Sequence, residues 1–170
     1  MRSRWKIATA VPLAAFIASA HASEPKVAVF NFELVDTSLE GATNGARPDQ
    51  QQRLVRAGNQ LRDRLAKSGR VEVVDIAAVA SQADAADLRT CDGCEAKFAR
   101  KLGADYAIVG WVQKVSNLIL NMNIMVRDVG SDRVVAVKSV DLRGNTDETW
   151  SRAVDWLVRY DLLAPQGVFK

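Results

Sequence analysis

Two cysteines, Cys91 and Cys94, stand two residues apart in "RTCDGCEAKFARKLGADY", and they are the only cysteines in the chain. A lone C-x-x-C has three chemistries open to it: structural disulfide, thiol redox centre, or half of a metal site. A redox role needs a stabilised thiolate, and the start of the following helix supplies a favourable dipole. Asp92 inside the motif and Glu95 directly after it oppose that, because both carboxylates raise the cost of a thiolate. The pair also follows the polar stretch "DLRT" and not a buried strand, unlike a thioredoxin-type site. A metal site would need further ligands. The reading therefore ranks a structural disulfide first, redox second and metal third.

Those ligands are scarce. The one histidine, His21, falls in "MRSRWKIATAVPLAAFIASAHASEP". Here Arg2, Arg4 and Lys6 precede an apolar run from Ile7 to Ala20, and Ala20 and Ala22 place small residues at a cleavage site. Residues 1–22 read as a signal peptide cut after Ala22, which implies a periplasmic, disulfide-permissive location. The run is too short for a spanning helix and no second one follows, so no transmembrane span is expected after removal of the signal. The remaining chain, 23–170, has no imidazole. That excludes Ser-His-Asp and Cys-His catalysis and histidine-ligated zinc. Removing three of the 23 basic residues leaves 20 against 20 acidic ones. A neutral domain has no general electrostatic reason to bind nucleic acid. No cofactor is implied.

The elements that must position these residues follow from periodicity. "KVAVFNFEL" (26–34) predicts a strand, then a long polar loop from Asp36 to Asp49. Asp49 to Lys67 predicts a helix with Leu54, Leu61 and Leu65 on one face and its arginines solvated, stopped by Gly69. A strand over 70–76 and an alanine-rich helix over 77–88 lead to the cysteines and a helix ended by Gly103. Then the period becomes two. Residues 106–115 form an apolar strand. Residues 117–129 alternate, with Leu118, Leu120, Met122, Ile124 and Val126 on one face. Asn117, Ile119, Asn121, Asn123, Met125 and Arg127 share the other. A turn at 130–132, a returning strand over 133–144 and an amphipathic helix over 145–163 complete one domain. The β-α-β-α-α-β-β-β-α order predicts a mixed sheet with helices on its faces.

"KVAVFNFEL", "LAKSGRVEVVD" and "KLGADYAIVGWV" resemble the amino-terminal domain of TolB and its relatives CsgG and LpoB. "CDGCEAKFARKLGADYAIVGWVQKVSNLILNMNIMVRD" and "RGNTDETWSRA" are similar to a family of small bacterial periplasmic proteins of unknown function. The resemblance implies a three-layer α/β/α sandwich with a roughly five-stranded mixed sheet, of the anticodon-binding-domain kind. It also implies a non-enzymatic adaptor that binds an envelope or periplasmic protein.

Asparagine is depleted in strands because its side chain competes for backbone hydrogen bonds. Asn117, Asn121, Asn123 and Arg127 on one strand face are therefore the candidate partner-binding residues, with a small-ligand carrier as an alternative use of that face. The loop from Asp36 to Asp49 is a second candidate surface. Asp141, Arg143, Asp147 and Glu148 offer carboxylates for acid–base work, against a plainer reading as caps and surface pairs. Trp111, Trp150 and Trp156 are read as core and not as a ligand platform.

Overall fold

The computed structural model describes residues 23–170, so the signal-peptide reading of residues 1–22 lies outside it. The sheet runs β3-β1-β4-β5-β6, with β2 also paired to β4. β1 (Lys26–Val29), β2 (Glu33–Asp36), β3 (Glu72–Val74) and β4 (Tyr106–Lys114) pair in parallel; β4, β5 (Leu120–Asp128) and β6 (Arg133–Leu142) form an antiparallel meander. α2 (Pro48–Lys67) and α5 (Asp147–Trp156) cover one face, while α3 (Ala80–Asp84) and α4 (Cys94–Lys101) cover part of the other. This is the expected three-layer mixed sandwich, with six strands in five positions.

The sixth strand arises because the expected strand 26–34 breaks in two. Val29 pairs with Ile108 and Glu33 with Trp111, so four steps of chain lie opposite three. The extra residue inverts the faces. Val27 and Val29 join the core under α2, and Ala28 and Phe30 the core under α4. Beyond the break Phe32 and Leu34 return to the α2 side. The ring of Phe32 fills the space over Gly110, where a Cβ would lie 2.5 Å from it.

α2 begins with Pro48 and Asp49 and ends with Arg64 and Lys67, which suits both its dipole and its cap geometry. Leu54, Ala57, Leu61 and Leu65 form its buried stripe. The arginines are not all solvated, as the sequence led us to expect. Arg62 reaches back to donate to the Val29 carbonyl at 3.0 Å and to Asn31 Oδ1 at 2.7 Å. Burial pulls its guanidinium pKa below the usual value.

Other boundaries differ. The loop Asp36–Asp49 contains a helix, α1 (Leu39–Asn44), capped by Ser38. The alanine-rich helix is confined to Ala80–Asp84, and the second strand to Glu72–Val74. The strand expected from 117 begins at Leu120, because residues 115–119 form a turn in which the Val115 N–H donates to the Ile119 carbonyl. Leu118, expected on the core face, is exposed there. The last helix has a Thr146–Thr149 capping box, then changes to π-helical winding over Leu157–Leu162. Among the described residues no helix is long and apolar enough to cross a membrane.

Candidate interaction surface

β4 is an apolar strand that ends in a cation. Lys114 shares the α2-side parity of Val112, so its side chain is carried inward and is wholly buried. Its register partner on β2 is Asp36. The ammonium donates to Asp36 Oδ2 at 3.1 Å and to Glu40 Oε2 at 2.7 Å. Burial alone would lower the Lys114 pKa, but the bonds to Glu40 and Asp36 outweigh it and raise it. Burial pushes Asp36 up, and donation from Ser38 and Lys114 overrides that to hold it below the ordinary range. Glu40 is held down at about 2 by hydrogen bonds from Lys114, Arg47 and Asn117.

The network continues across the surface. Arg47 joins Glu40 at 2.7 Å and Asp49 at 3.0 Å; Arg53 joins Asp49 at 2.9 Å and Asp147 at 2.7 Å. Asn117 donates to Glu40 at 2.9 Å and accepts from Asn145, which in turn accepts from the Trp150 indole. One polar web therefore ties α1, the β4–β5 turn, α2 and the start of α5. α1 buries none of its own residues, so this web is what docks it.

The web supports apolar groups that face outward. Leu39 on α1 is 84% exposed and Leu118 in the turn 74%, far more than packing would leave. Ile119 and Val115 are exposed beside Leu118. The Ser116 hydroxyl accepts from the Leu118 and Ile119 backbone N–H groups and fixes the turn that presents them. A cavity of about 500 Å³ opens next to it, lined by Leu118, Ile119, Leu120, Asp141, Leu142 and Arg143.

The candidate residues from the sequence separate into groups. Asn117 leaves the strand and joins the web with the predicted loop. Asn121, Asn123 and Arg127 do share the sheet face opposite α2. Their groups are engaged by neighbours: half-buried Asn121 donates to Asp141 at 2.8 Å and accepts from Ser139, and Asn123 is buried. Arg127 pairs with fully buried Glu95 and with the Asp132 carbonyl. Cys91 and Cys94 form a disulfide, Cα to Cα 5.7 Å, at the start of α4. Glu95 Oε2 lies 3.9 Å from Cys91 Sγ, a carboxylate that disfavours a thiolate there. These three residues could reach a common metal ion only with the disulfide open.

Asp141, Arg143, Asp147 and Glu148 do not converge. Asp147 is taken by Arg53 and Arg56, Asp141 by Asn121, and Glu148 by Arg152 at 3.4 Å. Trp150 is core, Trp111 is half-buried, and Trp156 is exposed against Tyr160 with ring centroids 5.5 Å apart. The residue that the sequence reading missed is Lys114, which joins Asp36 and Glu40 of the candidate loop to the sheet. Its signal was a lysine at an inward parity of an apolar strand.

A family model with the description "Protein of unknown function (DUF2380)" matches residues 25–162. None of the curated proteins compared with the chain matches it. Among solved structures, the LpoB C-terminal domain from Salmonella enterica is similar at 13% identity and TM-score 0.48, over 74% of this chain and 87% of that one. Lipoprotein GNA1162 from Neisseria meningitidis is similar at 12% identity and TM-score 0.48, over 79% and 95%. TolB from Acinetobacter baumannii is similar at 12% identity and TM-score 0.42, over 81% of this chain and 29% of that one.

Proposed function

The chain belongs to that family of proteins of unknown function, and from its surface we propose that it is a non-enzymatic, cofactor-free binding module of the bacterial periplasm. Its working surface is the end built from α1 and the β4–β5 turn. The observation that carries this is the pairing of exposed Leu39 and Leu118 with the buried Lys114 web beneath them. Charged groups anchor the two segments from below, and large apolar side chains project outward. Exposed large apolar side chains with polar groups around them are the usual character of a protein–protein contact. The partner is an envelope or periplasmic protein with an apolar patch of its own. The disulfide in this reading is a clasp at the start of α4.

Site-specific photo-crosslinking in the exported protein tests it. A crosslinker at Leu118 should give a discrete adduct, and one at Arg152 on α5 should not. The double change Leu118→Ser and Ile119→Ser should remove an adduct formed from Leu39, with an unchanged melting temperature. Equal adducts from Leu118 and Arg152 would overturn the assignment of the surface.

A further inference from the structure

β6 is ten residues long and lies at the edge of the sheet. Among the described residues no backbone hydrogen bond reaches it from any element but β5. An uncovered edge of that length is a template for another strand, and proteins guard such edges with lysine or a bulge. Here the bulge lies at one end, where Arg127 pairs with Val134 and Val126 with Ala136. The lysine, Lys138, is drawn off to Asp161 at 3.4 Å. Beyond the bulged Val135, the strand from Ala136 to Leu142 therefore remains regular, with Val137 exposed.

A cavity of about 250 Å³ borders this strand, lined by Val135, Ala136 and Lys138 of β6, by Tyr106, by Asp161, and by Gln166 to Val168. Asp161 belongs to the π-helical segment, a winding that is rare and frequent at functional sites. Its side chain is 12% exposed, and among the described residues Oδ2 is buried without a hydrogen-bond partner. A buried carboxylate oxygen left unpaired is costly. Lys138 reaches only Oδ1, which leaves Oδ2 open to a second donor.

We infer that β6 is a strand-addition site. An extended peptide pairs with its free edge and sets a lysine or arginine side chain into the adjoining cavity against Asp161 Oδ2. In this mode main-chain bonds supply affinity and a side-chain pocket supplies selectivity. The cavity suits a basic residue on both counts. Val135 and Ala136 give its aliphatic stem an apolar wall, and Asp161 receives its charged tip. The site is separate from the α1 surface, so either can fail alone, and an adaptor requires two such surfaces.

The test uses the signal-free chain and a blocked heptapeptide of alternating threonine and valine with a central lysine. The readouts are titration by amide NMR and hydrogen exchange. Binding should slow exchange of β6 amides. A peptide with norleucine in place of lysine should bind about tenfold more weakly, the loss of one charge-assisted bond. Asp161→Asn should abolish the preference for lysine and leave the norleucine affinity unchanged. N-methylation of alternate peptide nitrogens should prevent binding, since it removes strand pairing and keeps the side chains. The inference is overturned if β6 amides gain no protection, or if the wild-type protein binds the lysine and norleucine peptides equally. It is also overturned if β6 is protected without peptide in a concentration-dependent dimer, because a second copy then holds the edge.

Discussion

Lys114 lies opposite Asp36 in the sheet, and its ammonium reaches past that register partner to Glu40 in α1, 2.7 Å away. The cation is the buried member; the two carboxylates keep contact with solvent. Removing the anions therefore strands a buried charge, whereas removing the cation leaves carboxylates that water and Arg47 can satisfy. Asp36→Asn with Glu40→Gln should lower the melting temperature more than Lys114→Met does. Thermal melts decide it, and the opposite order would contradict the burial of Lys114.

The same web sets an acid limit. Glu40 is held at about 2, against 4.5 for the free side chain. A folded value below the unfolded one gives stability that is complete above pH 4.5 and lost as pH falls towards 2. Melts over this interval should show a loss that is smaller in Glu40→Gln than in the wild type.

Glu33 has the opposite sign. Burial raises its pKa above 4.5, with repulsion from Asp87, against a lowering bond from the Leu88 N–H. The fold favours the protonated form, so ionisation costs stability once pH exceeds 4.5. Glu33→Gln keeps an acceptor for Leu88 and should raise the melting temperature at neutral pH. The gain should vanish below pH 4.5. A variant less stable than wild type at neutral pH would show that the ionised group is needed.

Gly110→Ala places a methyl group in the ring of Phe32. Overpacking of this kind should cost about 1–3 kcal/mol. Phe32→Leu in the same chain should recover part of it, as chemical denaturation would measure. Additive losses would mean that the two residues do not meet.

The two faces of β5 give a sharper contrast. Leu120 is buried in the α2-side core, and Leu120→Asp should unfold the domain by leaving a charge there. Asn121 donates to Asp141, so Asn121→Asp sets like charges across the strands and should cost under about 1 kcal/mol. Circular dichroism melts separate the two. Opening the Cys91–Cys94 bridge by changing both to Ser should cost about 2 kcal/mol or less, because the loop is short.

The mixed character of the sheet and the helix layers were legible because periods of two and 3.6 are local properties of the chain. Leu54, Leu61 and Leu65 declared α2, and Leu120, Met122 and Ile124 declared β5. The working end was only half legible. Asn117 and the loop after Asp36 were separate candidates, but their meeting through Glu40 depends on a hydrogen bond between residues 77 positions apart. Lys114 was passed over because a lysine at a strand end reads as solvated unless its two carboxylate partners are known. The uncovered edge of β6 also escaped notice, since which strand is outermost depends on the whole topology.

The single extra residue between Val29 and Glu33 makes the first strand a message in two reading frames. Substitutions there act locally, one side chain at a time. A deletion would act on everything up to Asp36 at once. Phe32 and Leu34 would be turned toward the α4 side, and Asp36 would be carried off the parity it shares with Lys114. That stretch should therefore tolerate a change of letters far better than a change in their number, and a chain one residue shorter between Val27 and Asp36 should lose the α1 latch.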